Sequence, residues 1–342
     1  MSKKILHNLL GYAAKEGAKK IIIAGSENNF SFNCRFPDET EQSFVLPKKL
    51  EKDLTDNLRK LLEIAPGDLA QQKYCKINHK NYNLSFHVSI IPDKHNEKII
   101  INIITQNNRL WRLKQIGLPR TSLKQVQETL KSHSGLVIIS SPDAQGKSTT
   151  LYSLLQELNK DNLDVYFFEK YPKHDIPGIN VLDFNQQNFN KILNNDSNII
   201  AREDIKDKNN LIEIFKVANS GRLVIISMKA NNVWEILSII LNLDLPLKLK
   251  LDSLKLIINQ RIIDLKRSER IKLKNRRQEI GVFESLKINK EIKDFIIKTN
   301  ETKQKDKFWQ NLQAVALQNG FHPLAEDLKR KIKEGLVNKT VL

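Results

Sequence analysis

The first third of the chain alternates between patterns typical of strands and of helices. Residues 30–36 place apolar side chains at every second position, which predicts a strand with one buried face, and residues 82–90 repeat the pattern. An apolar run at residues 99–104 predicts a third strand. Leucines at helical spacing between residues 50 and 62 predict a helix, and an amphipathic start predicts another. The pattern therefore predicts a small α+β domain in residues 1–110.

From Thr121 the pattern becomes that of an α/β protein. A helix to about Ser132 is followed by a buried strand, a polar loop and a helix that opens at Lys147. Further apolar runs alternate with helical stretches, which is typical of a parallel sheet covered on both faces. These runs are Val165–Phe168, Asn198–Ala201 and Leu223–Ile226. We expect a linker at residues 111–120, an α/β core at 121–262 and, because the chain after Asn259 is basic and helical in pattern, a helical C-terminal part at 263–342.

Composition and charge narrow the class of protein. A chain of 342 residues with 40% hydrophobic and 28% charged residues fits two globular domains and excludes wholesale disorder or a collagen-like repeat. The net charge of +17 favours an anionic partner such as a nucleotide, a nucleic acid or membrane headgroups. Cys34 and Cys75 form no C-x-x-C pair, which argues against a cysteine zinc site and fits a reducing cytoplasm.

Apolar segments long enough to span a bilayer are not expected. The start of the chain lacks the apolar core of a signal peptide, and the longest apolar stretch, residues 234–247, is interrupted by Glu235, Asp244 and Pro246. We therefore expect a cytoplasmic protein whose membrane association, if it has one, is peripheral at the inner face of the membrane.

The sharpest local motif is SPDAQGKST, residues 141–149, placed between a buried strand and a helix. In a phosphate-binding loop the glycine lets the backbone approach an anion, the lysine meets the terminal phosphates and the serine hydroxyl reaches Mg²⁺. Gly146, Lys147 and Ser148 supply these groups. The full pattern G-x-x-x-x-G-K-[ST] fails at its first position, where Ser141 replaces glycine, so an ordinary turn between strand and helix remains an alternative on the motif alone.

The chain resembles the assembly ATPases of type II secretion and type IV pili along nearly its whole length. SGLVIISSPDAQGKSTTLYSLLQELN is similar to the Walker A segment of that family, DSNIIAREDIKD to its Walker B segment, SGRLVIISMKANN to its histidine box and INQRI to its Gln-Arg pair. EGAKKIIIAG and LSFHVSIIPDKHNEKIIINII resemble segments of its first domain, and RRQEIGVFESLKINKEIKDFI, with the later NGFHPLAEDLKRKIKEGLVN, resembles its C-terminal helices.

This resemblance implies a fold, a ligand and partners. It implies a RecA-like P-loop NTPase domain after the α+β domain, and ATP with Mg²⁺ as the ligands. Carried over position by position, the nucleotide-binding residues are Ser141, Gly146, Lys147, Ser148 and Thr149, with Ser148 on the metal. Asp204 aligns with the Walker B glutamate and Glu169 with the acidic box, and both are candidate catalytic residues. The family also implies a homo-hexamer, or a mixed ring with a paralogue, and an inner-membrane platform protein as partner.

The chain departs from the family pattern at most of these motifs. In the phosphate loop, Ser141 and Ala144 stand at two of three glycine positions and Asp143 adds an acid, so we expect weakened nucleotide binding. Asp204 is one methylene shorter than the family's glutamate, which should impair water positioning. The remaining departures are Lys170 beside Glu169, Arg222 and Lys229 at the two histidines, His87 and Asn102 at two arginines, and the basic stretch Lys266–Arg277 at the zinc-binding tetracysteine.

Three functions remain open from the sequence. The first is a motor-type subunit that binds ATP and hydrolyses it weakly. The second is a pseudo-ATPase that keeps the fold and the ring interface without turnover. The third, a nucleic-acid-binding module, rests on the +17 charge alone. We expect no specific nucleic acid partner, since no basic groove lined with aromatic residues is evident.

Overall fold

The computed structural model divides the chain into two compact units, Met1–Arg109 and Leu110–Leu342. It describes residues 2–25, 27, 29–36, 40–61, 64, 73–79, 82–93, 96–104, 110–132, 134–158, 163–169, 176–182, 186–193, 199–266, 279–302 and 307–338. Among the helices of these residues, none combines the length and the apolar character that crossing a bilayer requires.

The first unit is a six-stranded antiparallel sheet with two helices. In chain order its elements are α1 (Ser2–Lys15), β1 (Lys20–Gly25), β2 (Asn29–Arg35), β3 (Glu41–Pro47), α2 (Glu51–Leu61), β4 (Lys73–His79), β5 (Tyr82–Asp93) and β6 (Asn96–Ile104). The strand order across the sheet is β3-β2-β1-β6-β5-β4. The predicted α+β class and its three predicted strands are confirmed by β2, β5 and β6.

Alternating side chains build the core of the first unit. In β2, Phe30, Phe32 and Cys34 are buried, while the residues between them are only partly covered. Leu10 of α1 and Leu58 of α2 belong to the same buried cluster. The period of two in the sequence therefore marks the face of the sheet that the helices cover.

The second unit is a seven-stranded sheet with helices on both faces. Its elements are α3 (Arg120–Lys131), β7 (Gly135–Ser141), α4 (Lys147–Leu158), β8 (Val165–Phe168), β9 (Ile179–Leu182), α5 (Gln186–Leu193), β10 (Ile199–Ile205), α6 (Lys208–Asn219), β11 (Leu223–Lys229), α7 (Val233–Leu241), α8 (Leu247–Ser253), β12 (Leu254–Asp264), β13 (Glu279–Lys287), α9 (Lys290–Thr302), α10 (Phe308–Gln318) and α11 (Leu324–Lys333). The strand order is β13-β12-β7-β11-β10-β8-β9, parallel except for the pair of β12 and β13.

β7 lies inside the sheet and is buried along its whole length. Leu136 and Ile138 pack in one apolar cluster with α6 and α7, while Val137 and Ile139 pack in another with α4. A strand that is covered on both faces requires an unbroken apolar run. For this reason the sequence pattern predicted β7 clearly. The predicted α/β class of this part of the chain is confirmed.

The C-terminal region differs from the sequence prediction. The stretch after Asn259, which we expected to be helical, continues as strand until Asp264, and β13 follows it at Glu279–Lys287. The pairing of these two strands decides the structure there. Residues 111–120, which we expected to form a linker, lie within the second unit, and Leu113 and Ile116 are buried in its core.

A buried ionic cluster fastens α11 to the rest of the second unit. The carboxylate of Asp327 is fully buried, accepts a hydrogen bond from the Phe283 amide of β13 at 2.8 Å and pairs with Arg330 at 2.7 Å. It also pairs with the fully buried Lys331, whose ammonium donates to the carbonyl of Gly117 at 2.9 Å. Burial lowers the pKa of Lys331 to about 8, so its ammonium is still charged at neutral pH. The carboxylate of Asp327 opposes this shift and favours the charged form.

Candidate functional site

The phosphate loop, residues 142–146, connects the C-terminal end of β7 to the first turn of α4. Gly146 has a φ of +77°, which favours glycine. A Cβ at this position would lie 2.8 Å from the side chain of Ile262 and 3.1 Å from that of Gln260. Conformation and space therefore both favour glycine at position 146. The N-terminal amides of a helix at the end of such a loop are suited to an anion.

Ala144, which stands at one of the family's glycine positions, adopts a φ of +57°. A left-handed conformation costs an alanine about 1–2 kcal/mol. Ala144 therefore has a backbone conformation that glycine would adopt at a lower cost in free energy.

Restoring that glycine gives the first testable prediction. Ala144→Gly should raise the free energy of unfolding of the second unit by about 0.5–1 kcal/mol, since relief of strain exceeds the greater freedom of the unfolded chain. Denaturant titration measures the change. Ala314→Gly, at an exposed position in the interior of α10, is the control and should lower stability by about 1 kcal/mol. Equal losses in the two variants would contradict the prediction.

Lys147 folds back over the phosphate loop. Its ammonium donates to the carbonyls of Ser141 and Pro142, each at 3.2 Å. Burial lowers the pKa of Lys147, and the nearby carboxylates, first among them Asp143, oppose that shift. The ammonium thus lies over the loop backbone, the position from which it could meet a phosphate bound there.

Asp143, the acid that we expected to repel a phosphate, pairs with Lys229 at the end of β11. The carboxylate oxygen lies 2.5 Å from the lysine nitrogen. This hydrogen bond from Lys229 holds the pKa of Asp143 below its usual range, so the carboxylate stays ionised. Two departures from the family pattern, at positions 143 and 229, therefore form one ion pair that offsets the negative charge of the loop.

The end of β10 brings an acid to the loop that sequence reasoning missed. Glu203 accepts a hydrogen bond from the hydroxyl of Ser148. The register between β10 and β11 shifts between Arg202 and Ile205, and this irregularity decides which of two adjacent acids turns towards α4. The only available signal was the neighbouring pair Glu203-Asp204 at a strand end, and it could not tell the two apart.

Asp204, the predicted catalytic carboxylate, lines a cavity beside the phosphate loop and pairs with a lysine. It has a φ of +58°, and its amide donates to the hydroxyl of Ser227 at 3.0 Å. Its carboxylate lies 2.9 Å from the Lys206 nitrogen, and the side chain is 51% exposed. The partner that the carboxylate contacts directly is a lysine. A catalytic role for Asp204 stays a prediction.

Glu169, the second predicted catalytic acid, is 1% exposed and accepts a hydrogen bond from the hydroxyl of Tyr152. Tyr152 follows Ser148 by one turn of α4, so the two residues share a face of the helix. Glu169 and Glu203 therefore contact the same side of α4. The catalytic role of Glu169 also stays a prediction.

Three other predicted residues lie at different positions of the second unit. Ser141 is buried and its hydroxyl donates to the carbonyl of Pro142 at 2.7 Å, while Thr149 is exposed. Their roles in nucleotide binding stay predictions. Arg222 precedes β11, at the opposite end of the strand from Lys229, and bonds to the Leu193 carbonyl at 3.0 Å. The structure therefore does not bring Arg222 to the phosphate loop.

The two arginine replacements lie in the first unit, and two basic features lie outside the described residues. His87 and Asn102 are directly paired positions of β5 and β6 in the first unit. Lys170 and the basic residues 267–277 fall outside the described residues. The interpretations of Lys170 and of the basic stretch therefore stay predictions.

A cavity of about 490 Å³ opens beside the loop and is lined by two carboxylate–ammonium pairs, Asp143 with Lys229 and Asp204 with Lys206. Next to α4, the Ser148 hydroxyl and the Glu203 carboxylate are in contact and supply hard oxygen ligands. Oxygen ligands of this kind are those that Mg²⁺ takes in nucleotide sites. The residues present therefore fit a Mg²⁺–polyphosphate ligand at the start of α4.

Comparison with known protein families and sequences supports this assignment. The family described as "Type II/IV secretion system protein" matches residues 1–335. The chain is 24% identical to the type II secretion system ATPase E of Vibrio cholerae over 67% of this chain and 47% of that protein. It is 26% identical to the type IV pilus assembly ATPase PilB of Myxococcus xanthus over 76% of this chain and 48% of that protein. The chain thus spans about half the length of these curated relatives.

Solved structures share the fold. The ATPase DotB of Legionella pneumophila superposes with a TM-score of 0.75 at 15% identity, covering 100% of this chain and 94% of DotB. The pilus retraction motor PilT with bound ADP gives a TM-score of 0.68 at 17% identity, covering 99% and 98% of the two chains. At such identities the likeness establishes the fold alone, a small sheet domain followed by a RecA-like domain.

Proposed function

Because the chain belongs to the type II/IV secretion system protein family, we propose that it is an ATP-binding, motor-type subunit of a type II secretion or type IV pilus assembly system. The observation that carries the proposal is the contact of Ser148 with Glu203 at the end of the phosphate loop. A P-loop serine joined to an acid from a neighbouring strand end is the arrangement that holds Mg²⁺ in P-loop NTPases.

Each residue of the loop has a distinct task in this proposal. Gly146 lets the backbone approach the phosphates, and the first amides of α4 donate to them. The Lys147 ammonium exchanges the loop carbonyls for terminal phosphate oxygens, and Ser148 with Glu203 holds Mg²⁺. When bound, Mg²⁺ neutralises charge on the phosphates. The ion pair with Lys229 offsets the negative charge of Asp143 beside the phosphates.

Turnover in this proposal is weak, and the subunit acts in a ring. His87 and Asn102 cannot supply the planar fork with which arginine clamps a transferring phosphoryl group, so hydrolysis should be slow. The resemblance to the assembly ATPases favours a homo-hexamer, or a mixed ring with a paralogue, that acts on an inner-membrane platform protein. Its place would be the cytoplasm, with peripheral contact at the inner face of the membrane.

Nucleotide binding by Lys147 tests the proposal. Lys147→Ala should weaken the affinity of the purified protein for Mg-ATP by about 10- to 100-fold, the effect of losing hydrogen bonds to a charged group. Calorimetric titration measures the affinity. Lys124→Ala, which removes a lysine that is 80% exposed on α3, is the matched control and should bind as the parent does.

Other outcomes of the same titration identify the alternatives. Failure of the parent protein to bind Mg-ATP at high micromolar concentration would contradict the proposal and favour a structural ring subunit. Binding without measurable hydrolysis would instead leave a nucleotide-loaded pseudo-ATPase. Equal affinity of the parent and of Lys147→Ala for Mg-ATP would show that the phosphate loop is not part of the nucleotide-binding site.

A further inference from the structure

Strand β12 extends beyond the end of β7, and the phosphate loop covers the edge that is left. The register of the two strands ends with Asn259 opposite Ser140, whereas β12 continues to Asp264. On its other edge, β12 remains paired with β13 over the whole extension. The backbone groups of β12 that face the loop therefore need partners other than a neighbouring strand.

Gln145 of the loop provides one of these partners. Its side-chain carbonyl oxygen accepts a hydrogen bond from the Ile262 amide at 2.6 Å. A side chain of the loop thus takes the place that a strand residue would occupy in the ladder. This bond connects the loop directly to the extension of β12.

Gln260 completes the connection from the side of the strand. It is 2% exposed, and both ends of its amide are occupied. Its nitrogen donates to the backbone carbonyl of Gln145 at 2.6 Å, and its oxygen accepts from the hydroxyl of Thr150 in α4 at 2.6 Å. One buried side chain therefore joins the loop, the helix that follows it and the strand beside it.

We propose that Gln145 and Gln260 form a glutamine clasp that positions the phosphate loop for a nucleoside triphosphate. The inference rests on the proposed function, because it takes this loop as the phosphate site. The loop has lost two of its family's glycines and holds Ala144 in a left-handed conformation. External hydrogen bonds from both neighbours would keep the loop in its binding shape, so that binding does not have to order it.

Gln260→Glu tests the clasp with little change of shape. Glutamate still accepts from Thr150 but cannot donate to the Gln145 carbonyl. We expect the Kd for Mg-ATP to rise about 10-fold while kcat at saturation stays within about twofold, because bound nucleotide reorders the loop. In the nucleotide-free protein, the backbone amides of residues 143–147 should exchange about 10-fold faster with deuterium.

Gln125→Glu is the matched control, because it makes the same chemical change elsewhere in the second unit. Gln125 donates to the Gly320 carbonyl at 2.8 Å and accepts from the Ser285 hydroxyl at 3.0 Å. It should bind Mg-ATP as the parent does, with unchanged exchange in the loop. A purely structural effect of the substitution would appear equally in both variants and would overturn the proposal.

Gln145→Met is a second variant that avoids a charge in a buried place. It removes the bond to Ile262 from a side chain that is only half-buried, and should accelerate exchange in the loop in the same direction as Gln260→Glu. Unchanged exchange and unchanged Kd in both variants would overturn the clasp while leaving the proposed function intact. If the parent does not bind Mg-ATP, the proposed function fails, and exchange in the nucleotide-free protein still decides the clasp.

Discussion

Asp327→Ala is expected to lower the free energy of unfolding of the second unit by about 3–5 kcal/mol, the usual cost of removing one partner from a buried ion pair. The substitution leaves the ammonium of Lys331 buried without its carboxylate and removes the acceptor of the Phe283 amide. Denaturant titration, with far-UV circular dichroism as the signal, measures the loss.

Two further variants decide whether the buried charge is the cause. Glu326→Ala changes the neighbouring residue of α11, whose carboxylate is 60% exposed and lies 3.9 Å from His322, and should cost less than about 1 kcal/mol. Adding Lys331→Met to Asp327→Ala removes the stranded ammonium and should restore part of the lost stability. A double variant no more stable than Asp327→Ala would show that the uncompensated charge is not responsible.

Glu203→Gln is expected to reduce the ATPase kcat at least about 100-fold, equivalent to about 2.7 kcal/mol of transition-state stabilisation. The amide keeps the shape of the side chain but carries no charge to hold Mg²⁺ next to Ser148. Phosphate release at saturating Mg-ATP measures kcat, and a separate titration shows whether nucleotide still binds.

Asp204→Asn is the natural comparison, because the two acids are adjacent and the sequence favoured Asp204. Its carboxylate pairs with Lys206 and is half exposed, so we expect less than about a 10-fold loss of kcat. A larger loss from Asp204→Asn than from Glu203→Gln would reverse the assignment and return the main role to Asp204. Because the proposed function includes only weak hydrolysis, both measurements need a sensitive assay.

Sequence patterns predicted the elements whose burial is simple. β7, β8 and β11 are apolar runs between turns, and β2 alternates strictly, so each carries its signal within a few residues. The motif at residues 141–149, placed between a buried strand and a helix, indicated the phosphate loop, and the family resemblance added the glycine position at which Ala144 stands.

Elements whose burial depends on distant partners were missed. The second half of β12 contains the buried polar residues Asn259 and Gln260, and β13 contains Glu284 and Ser285, which interrupt the apolar pattern. Their polar groups are satisfied by contacts far away in sequence, such as that of Gln260 with Gln145. The Ser148–Glu203 contact could not be predicted from the sequence either, because a local shift of register between two strands selects which of two adjacent acids reaches Ser148.

The position of β7 has a consequence for synthesis on the ribosome. Both strands that flank it, β11 and β12, come later in the chain, beginning at Leu223 and Leu254. At about 5–20 residues per second, the completed β7 waits roughly 4–16 s for the start of its first neighbour and longer for the second. The nascent polypeptide therefore carries this fully buried strand without either of its neighbouring strands during that interval, and α3 and α4 are available early to cover one of its faces.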